Sequence, residues 1–181
     1  MNYIMIRTDD MLNGDGLRVV LFCTACNHQC KNCQNPETWS ENAGKCFDEL
    51  AQEEILNELN NDYISGITLS GGDPLHINNV VCMYHLCKTI KDKFPNKTIW
   101  LYSGYTYEDV YKSDGLNELH RSFMKKILEL VDVFVDGKYI EELSDVNYHW
   151  AGSTNQRVID MQKTIECGKI ILYEYRCFYE R

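Results

Sequence analysis

Two rhythms of hydrophobic and polar residues run along this chain. "NYIMIR" (Asn2–Arg7) and "LRVVLF" (Leu17–Phe22) are short apolar stretches that predict two early strands. "FDELAQEEILNELNND" then changes to a helical period, with Leu50, Ile55, Leu56 and Leu59 on one face and Asp48 placed to cap it. "GITLS" predicts a buried strand ahead of a Gly-Gly turn, and "NNVVCMYHLCKTIKDKF" an amphipathic helix stopped by Pro95. "KTIWLYSG" is the next strand, "NELHRSFMKKILELV" a helix, "VDVFVDG" a strand, and "GKIILYEYR" a late strand.

Strands alternating with helices imply right-handed βαβ units, an α/β fold and a mostly parallel sheet. A complete eightfold barrel needs ~250 residues, so these 181 residues can build only part of one. No repeat, low-complexity stretch or linker divides them, and a single domain over residues 1–181 is expected. In such sheets the chemistry gathers at the carboxyl ends of the strands. Three loops fall there: the cysteine-rich loop after Phe22, "SGGDP" after Leu69, and "SGY" after Tyr102.

Charge narrows the partners. The net charge of −9 argues against nucleic acid or an anionic membrane as a main partner, since both call for a basic patch. The first residues lack the apolar run of a signal peptide, and nothing approaches the ~20 apolar residues of a membrane helix. A cytoplasmic protein is therefore expected. In a reducing compartment its nine cysteines would not form disulfides, and an odd number cannot pair completely.

Three of those cysteines, Cys26, Cys30 and Cys33, stand in a C-x3-C-x2-C spacing, with Cys23 just ahead. The spacing alone leaves several chemistries open. Cys23 added to the triple, or His28 in its place, would complete a closed zinc site. Cys30 and Cys33 alone would suit a thioredoxin-like pair. Three thiolates on one loop would also suit a cubane iron–sulfur cluster with one iron left free for a substrate. Cys46, Cys82, Cys87, Cys167 and Cys177 read as small buried hydrophobes, and Cys23 as the end of a strand pointing into the core.

The cysteine triple followed by a strand ending in "GGDP" resembles the radical S-adenosylmethionine enzymes. The closer likeness is to the family that activates anaerobic (class III) ribonucleoside-triphosphate reductase. It rests on "NGDGLR" (Asn13–Arg18), "CNHQCKNCQNPETW", "GITLSGGDPLHINN" (Gly66–Asn79), "IWLYSGY" (Ile99–Tyr105), "VDVFVDGKY" (Val131–Tyr139) and "GSTNQRVID" (Gly152–Asp160). The likeness covers nearly the whole chain. Another small radical S-adenosylmethionine enzyme, such as a formate-lyase activase, or a four-thiolate zinc-binding interaction protein are the alternatives.

The resemblance implies a partial β/α barrel of the radical S-adenosylmethionine type. It implies a 4Fe–4S cluster on Cys26, Cys30 and Cys33, whose free iron takes the amino and carboxylate groups of S-adenosylmethionine. Gly71 and Gly72 would let backbone approach the cosubstrate's methionine end, with Asp73 holding the turn or assisting. Asn32 and Gln34, flanking Cys33, would meet the adenine edge, and Ser103 and Gly104 the ribose or carboxylate. The implied activity is abstraction of a glycine Cα hydrogen in the large reductase subunit. A flavodoxin-type electron donor and assembly as a homodimer or heterotetramer are implied with it.

Overall fold

The computed structural model describes residues 1–112 and 117–174. In chain order its elements are β1 (Asn2–Asp10), β2 (Arg18–Cys23), β3 (Lys45–Cys46), α1 (Glu49–Leu59), β4 (Gly66–Gly71), α2 (Val80–Lys93), β5 (Thr98–Tyr102), α3 (Tyr107–Lys112), α4 (Glu118–Leu128), β6 (Val133–Asp136), β7 (Arg157–Asp160) and α5 (Met161–Cys167). The seven strands form one open sheet in the order β3-β1-β2-β4-β5-β6-β7. The four central strands are parallel; β1, β3 and β7 run antiparallel to their neighbours.

The parallel centre follows from the sequence pattern. A strand covered on both faces reads as a continuous apolar run, and every residue of β2 and β6 is buried. On one face Val19, Leu21, Ile67, Leu69, Ile99, Leu101 and Phe134 pack against α1, α2 and α4. The other face carries Trp100, Val133, Val135 and Val158, under Tyr102, Trp150, Ala151 and Tyr173.

Helix α1 starts where its cap was expected: the Ala51 N–H donates to Asp48 Oδ1 at 3.0 Å. Its buried face is Ala51, Ile55 and Leu59, whereas Leu50 is 74% exposed. Leu50 lies roughly 100° round the helix from Ala51, so the spacing of leucines alone misassigned it. Helix α2 ends at Lys93, before Pro95.

The expected late strand over "GKIILYEYR" is corrected. Gly168 (φ +66°) caps α5, and among the described residues of this stretch, 168–174, only Leu172 makes a bridge, to Ile159; residues 175 and 176 lie outside the described residues. The last strand of the sheet is β7, from "RVID", and it is antiparallel. Two cysteine expectations are also corrected, because Cys46 on β3 and Cys167 at the end of α5 are both exposed. Cys87 is buried, Cys82 half-buried, and Cys23 ends β2 fully buried, as expected. Cys177 lies outside the described residues. Among the described residues no helix is long and apolar enough to cross a membrane.

Candidate iron–sulfur site

Where β2 ends, the chain enters a loop that local preference does not favour. Ala25, Gln29 and Asn32 have φ of 71°, 47° and 52°, a left-handed backbone that side-chain-bearing residues rarely adopt. Tertiary bonds hold it there. The Cys26 N–H donates to the Trp39 carbonyl at 3.1 Å, and the Asp73 N–H to the Ala25 carbonyl at 2.9 Å.

This wrapping turns backbone N–H groups toward the three sulfurs. The amides of His28 and Gln29 face Cys26 and that of Tyr139 faces Cys30, each favouring the thiolate, and the Asn35 N–H donates to the Cys33 sulfur at 3.4 Å. All three cysteines are half-buried. Burial pushes the Cys26 thiol up to about 11, against the opposing pull of the His28 and Gln29 amides. It raises Cys30 too, while the Tyr139 amide and the Lys138 charge oppose it. Without a metal these two sulfurs stay protonated at neutral pH; a coordinating metal deprotonates a thiol outright.

Fit to an iron–sulfur group can be judged from the donors. Sulfurs that face backbone amides in a half-buried loop are the surroundings that tune cluster potential. The buried indole N–H of Trp39 has no partner among the described residues, and Trp39 sits against Cys26. Among the described residues no three His, Cys, Asp or Glu side chains are grouped to hold a metal ion. Cys23 is no fourth ligand here: it is fully buried, with the Asn79 amide 3.7 Å from its sulfur.

Strand β4 brings the glycine turn alongside. Gly71 (φ +97°) leaves no room for a side chain, since a Cβ would lie 2.7 Å from the Cys23 carbonyl oxygen. At Gly72 it would lie 2.9 Å from the Ala25 carbonyl oxygen. The two glycines therefore let the β4 turn lie flat against the base of the cysteine loop.

Asp73 is 1% exposed and points inward. Its carboxylate accepts from the Leu75 N–H at 2.8 Å, the Ser103 hydroxyl at 2.8 Å, the Gly104 N–H at 3.2 Å and the His28 ring at 2.6 Å. All three expected loops thus meet at one carboxylate. Ser103 and Gly104 spend their polar groups on it.

A cavity of about 700 Å³ opens beside this junction. Cys33, Gln34 and Asn35 form one wall, Ser70 and Tyr102 the sheet side, and Met11–Asn13, Tyr139, Val146–Gly152 and Gln156 the rest. Cys33 and Gln34 reach it among the expected residues; Cys26, Cys30, Asn32, Gly71, Gly72 and Asp73 lie outside its lining. Asn32 is exposed and its amide donates to Glu141, while Lys31 pairs with Glu141 at 2.7 Å. The segment after β6 therefore clasps the cysteine loop from outside. Sequence reasoning passed over that clasp and Tyr139, although "DGKY" was the signal that could have located them.

A family model for a 4Fe-4S single-cluster domain matches residues 12–159, a span that runs from the loop before β2 through β7. That places the chain in a class of iron–sulfur proteins. Relatives narrow the class. An anaerobic ribonucleoside-triphosphate reductase-activating protein of Haemophilus influenzae is 40% identical over 158 residues, covering 86% of this chain and 96% of its own. Its namesake in Escherichia coli K12 is 39% identical over 160 residues, 87% of this chain and 97% of its own. That of Enterobacteria phage T4 is 40% identical over 158 residues, 87% and 93% respectively. The chain belongs to the family of anaerobic ribonucleoside-triphosphate reductase-activating proteins.

Proposed function

We propose that this protein is a glycyl-radical activating enzyme, an oxidoreductase that works on the large subunit of an anaerobic ribonucleoside-triphosphate reductase. The observation that carries the reading is the cysteine loop, whose three half-buried sulfurs each face a backbone amide beside a cavity at the carboxyl ends of parallel strands. The relatives' name supports the choice of reductase.

In this reading Cys26, Cys30 and Cys33 hold a 4Fe–4S cluster and leave one iron open to S-adenosylmethionine. When bound, the pair would supply one-electron reductive cleavage of S-adenosylmethionine to methionine and a 5′-deoxyadenosyl radical, able to take a glycine Cα hydrogen from the reductase. The chain's residues bind and orient. The Gly71–Gly72 backbone receives the methionine end, and Asp73 holds that turn rigid. Asn32 and Gln34 flank Cys33 on the adenine side. Tyr102, its hydroxyl kept protonated by burial, closes the cavity floor with Ser70. A cavity of this size lies within the range of small-molecule sites. A flavodoxin-type donor would supply the electron, and a homodimer or a heterotetramer with the reductase would be the working assembly.

The test is anaerobic reconstitution with iron and sulfide, then low-temperature electron paramagnetic resonance with and without S-adenosylmethionine. A reduced-cluster signal that changes with the cosubstrate, followed by a glycyl radical in added reductase, is expected. A colourless protein holding stoichiometric zinc overturns the reading.

A further inference from the structure

His28 lies between two of the cysteines, and its ring reaches away from both. Nε2 is 2.6 Å from Asp73 Oδ2. The ring occupies space that only a glycine at position 104 leaves free: a Cβ there would sit 2.3 Å from His28 Cδ2. The Tyr105 ring meets it edge-on at 4.8 Å. Its side chain is 10% exposed. The imidazole is therefore seated in a slot built by the loops after β4 and β5.

Its backbone faces the other way. The His28 amide faces the Cys26 sulfur, where it favours the thiolate. One residue thus joins a cluster-ligand sulfur on its amide side to a buried carboxylate on its ring side. That carboxylate is a rigid anchor, since Leu75, Ser103 and Gly104 also donate to it. The flanking left-handed residues, Ala25 and Gln29, cannot hold the loop by local preference.

We infer that His28 is a positioning residue for the iron–sulfur cluster. Through Asp73 it fixes the Cys26–Cys30 segment against the β4 and β5 loops, and so keeps its own N–H facing the Cys26 sulfur. The inference rests on the cluster assignment proposed above. Amide hydrogen bonds to ligand sulfur set cluster potential, and loss of such supporting contacts costs about 10–100-fold in affinity. Without the ring, the cluster is held less tightly and its potential falls.

The experiment compares wild type, His28→Ala, His28→Gln and Gly104→Ala after identical anaerobic reconstitution. It measures iron and sulfide per chain, the rate of cluster loss to a chelator, and the midpoint potential by electron paramagnetic resonance titration. His28→Ala should lose its cluster about tenfold faster and show a more negative potential. His28→Gln, whose amide can still donate to Asp73, should recover most of both. Gly104→Ala, whose methyl displaces the ring, should resemble His28→Ala. Wild-type loss rate and potential in both His28→Ala and Gly104→Ala would overturn the inference while leaving the cluster in place. So would a lower melting temperature with an unchanged potential. Wild type without a cluster would overturn the function and the inference together. Should His28→Ala fail to fold, Gly104→Ala set against His28→Gln decides the matter.

Discussion

The guanidinium carbon of Arg18 lies 5.4 Å from the centre of the Trp100 ring, buried on the sheet face opposite the helices. Its nitrogens donate to Thr68 Oγ1, to the Thr98 hydroxyl and carbonyl, and to the carbonyls of Asp15 and Ile67, all within 2.9 Å. No carboxylate is among these acceptors; neutral oxygens and an aromatic face carry the charge. Arg18 and Thr68 together strap the "NGDG" loop to the sheet, since Thr68 donates to the Asn13 carbonyl. Arg18→Met should lower the free energy of unfolding by about 3 kcal/mol, because several buried acceptors lose their donor. Urea titration of the metal-free protein measures it.

Cys23→Ala should behave unlike substitutions in the triple. It removes a buried sulfur from the core and should cost about 1–2 kcal/mol while leaving reconstituted iron per chain unchanged. Cys26→Ser, Cys30→Ser and Cys33→Ser should each abolish the cluster. Iron analysis paired with a melting curve separates the two outcomes.

Gly71→Ala combines a φ of +97° with a methyl 2.7 Å from a backbone oxygen. The expected loss is about 2–3 kcal/mol, and S-adenosylmethionine binding should weaken because the turn must back away from the cysteine loop. Calorimetric titration of the reconstituted variant checks the second effect.

The parallel centre of the sheet and the three loops at its carboxyl edge were legible in the sequence. Apolar runs such as "RVVLF" and the Gly-Gly turn announce themselves locally. The antiparallel β7 was not: "RVID" is short and polar at both ends, and its place depends on Arg157 reaching Asp136 at 3.0 Å. The cysteine triple was plain from its spacing. The inward turn of Asp73 was hidden, because its donors His28, Ser103 and Gly104 lie far apart in the chain and only the fold brings them together. Lys31 and Glu141, which tie the cysteine loop to the segment after β6, were hidden for the same reason.

Asp10 provides a pH signature. Burial on its own would push this carboxyl up, but hydrogen bonds from the Asn13 side chain, the Leu12 and Asn13 amides and Arg7 outweigh it and hold the carboxyl below its usual 3.8. A lowered carboxylate stabilises the fold above its unfolded value and loses that contribution as pH falls through the folded one. Wild type should therefore exceed Asp10→Asn in stability at pH 6, by a margin that shrinks below about pH 4. Urea melts at the two pH values give the comparison.

Thiol labelling of the metal-free protein should sort the remaining cysteines. Cys46 and Cys167 are exposed and should react quickly with iodoacetamide. Cys87, fully buried with its thiol pushed up to about 12 by desolvation, should stay unlabelled until the protein unfolds. Peptide mapping by mass spectrometry reads each site.

An open sheet ordinarily offers its outer strands as templates for another chain. Here one rim is β3, two residues long and carrying Lys45, and it covers only Asn2 and Tyr3 of β1. Beyond it β1 is broken by two register irregularities and bears Arg7, Asp9 and Asp10. At the far rim, Asp160 donates to the Ile171 carbonyl and Tyr173 to the Val158 carbonyl, so β7 has a companion segment. Both borders are poor sites for strand addition, which guards a half-open architecture against polymerising with itself. A reductase partner of the kind proposed would then be recognised through side chains and loops rather than by main-chain pairing, so selectivity for the right partner could be tuned one residue at a time.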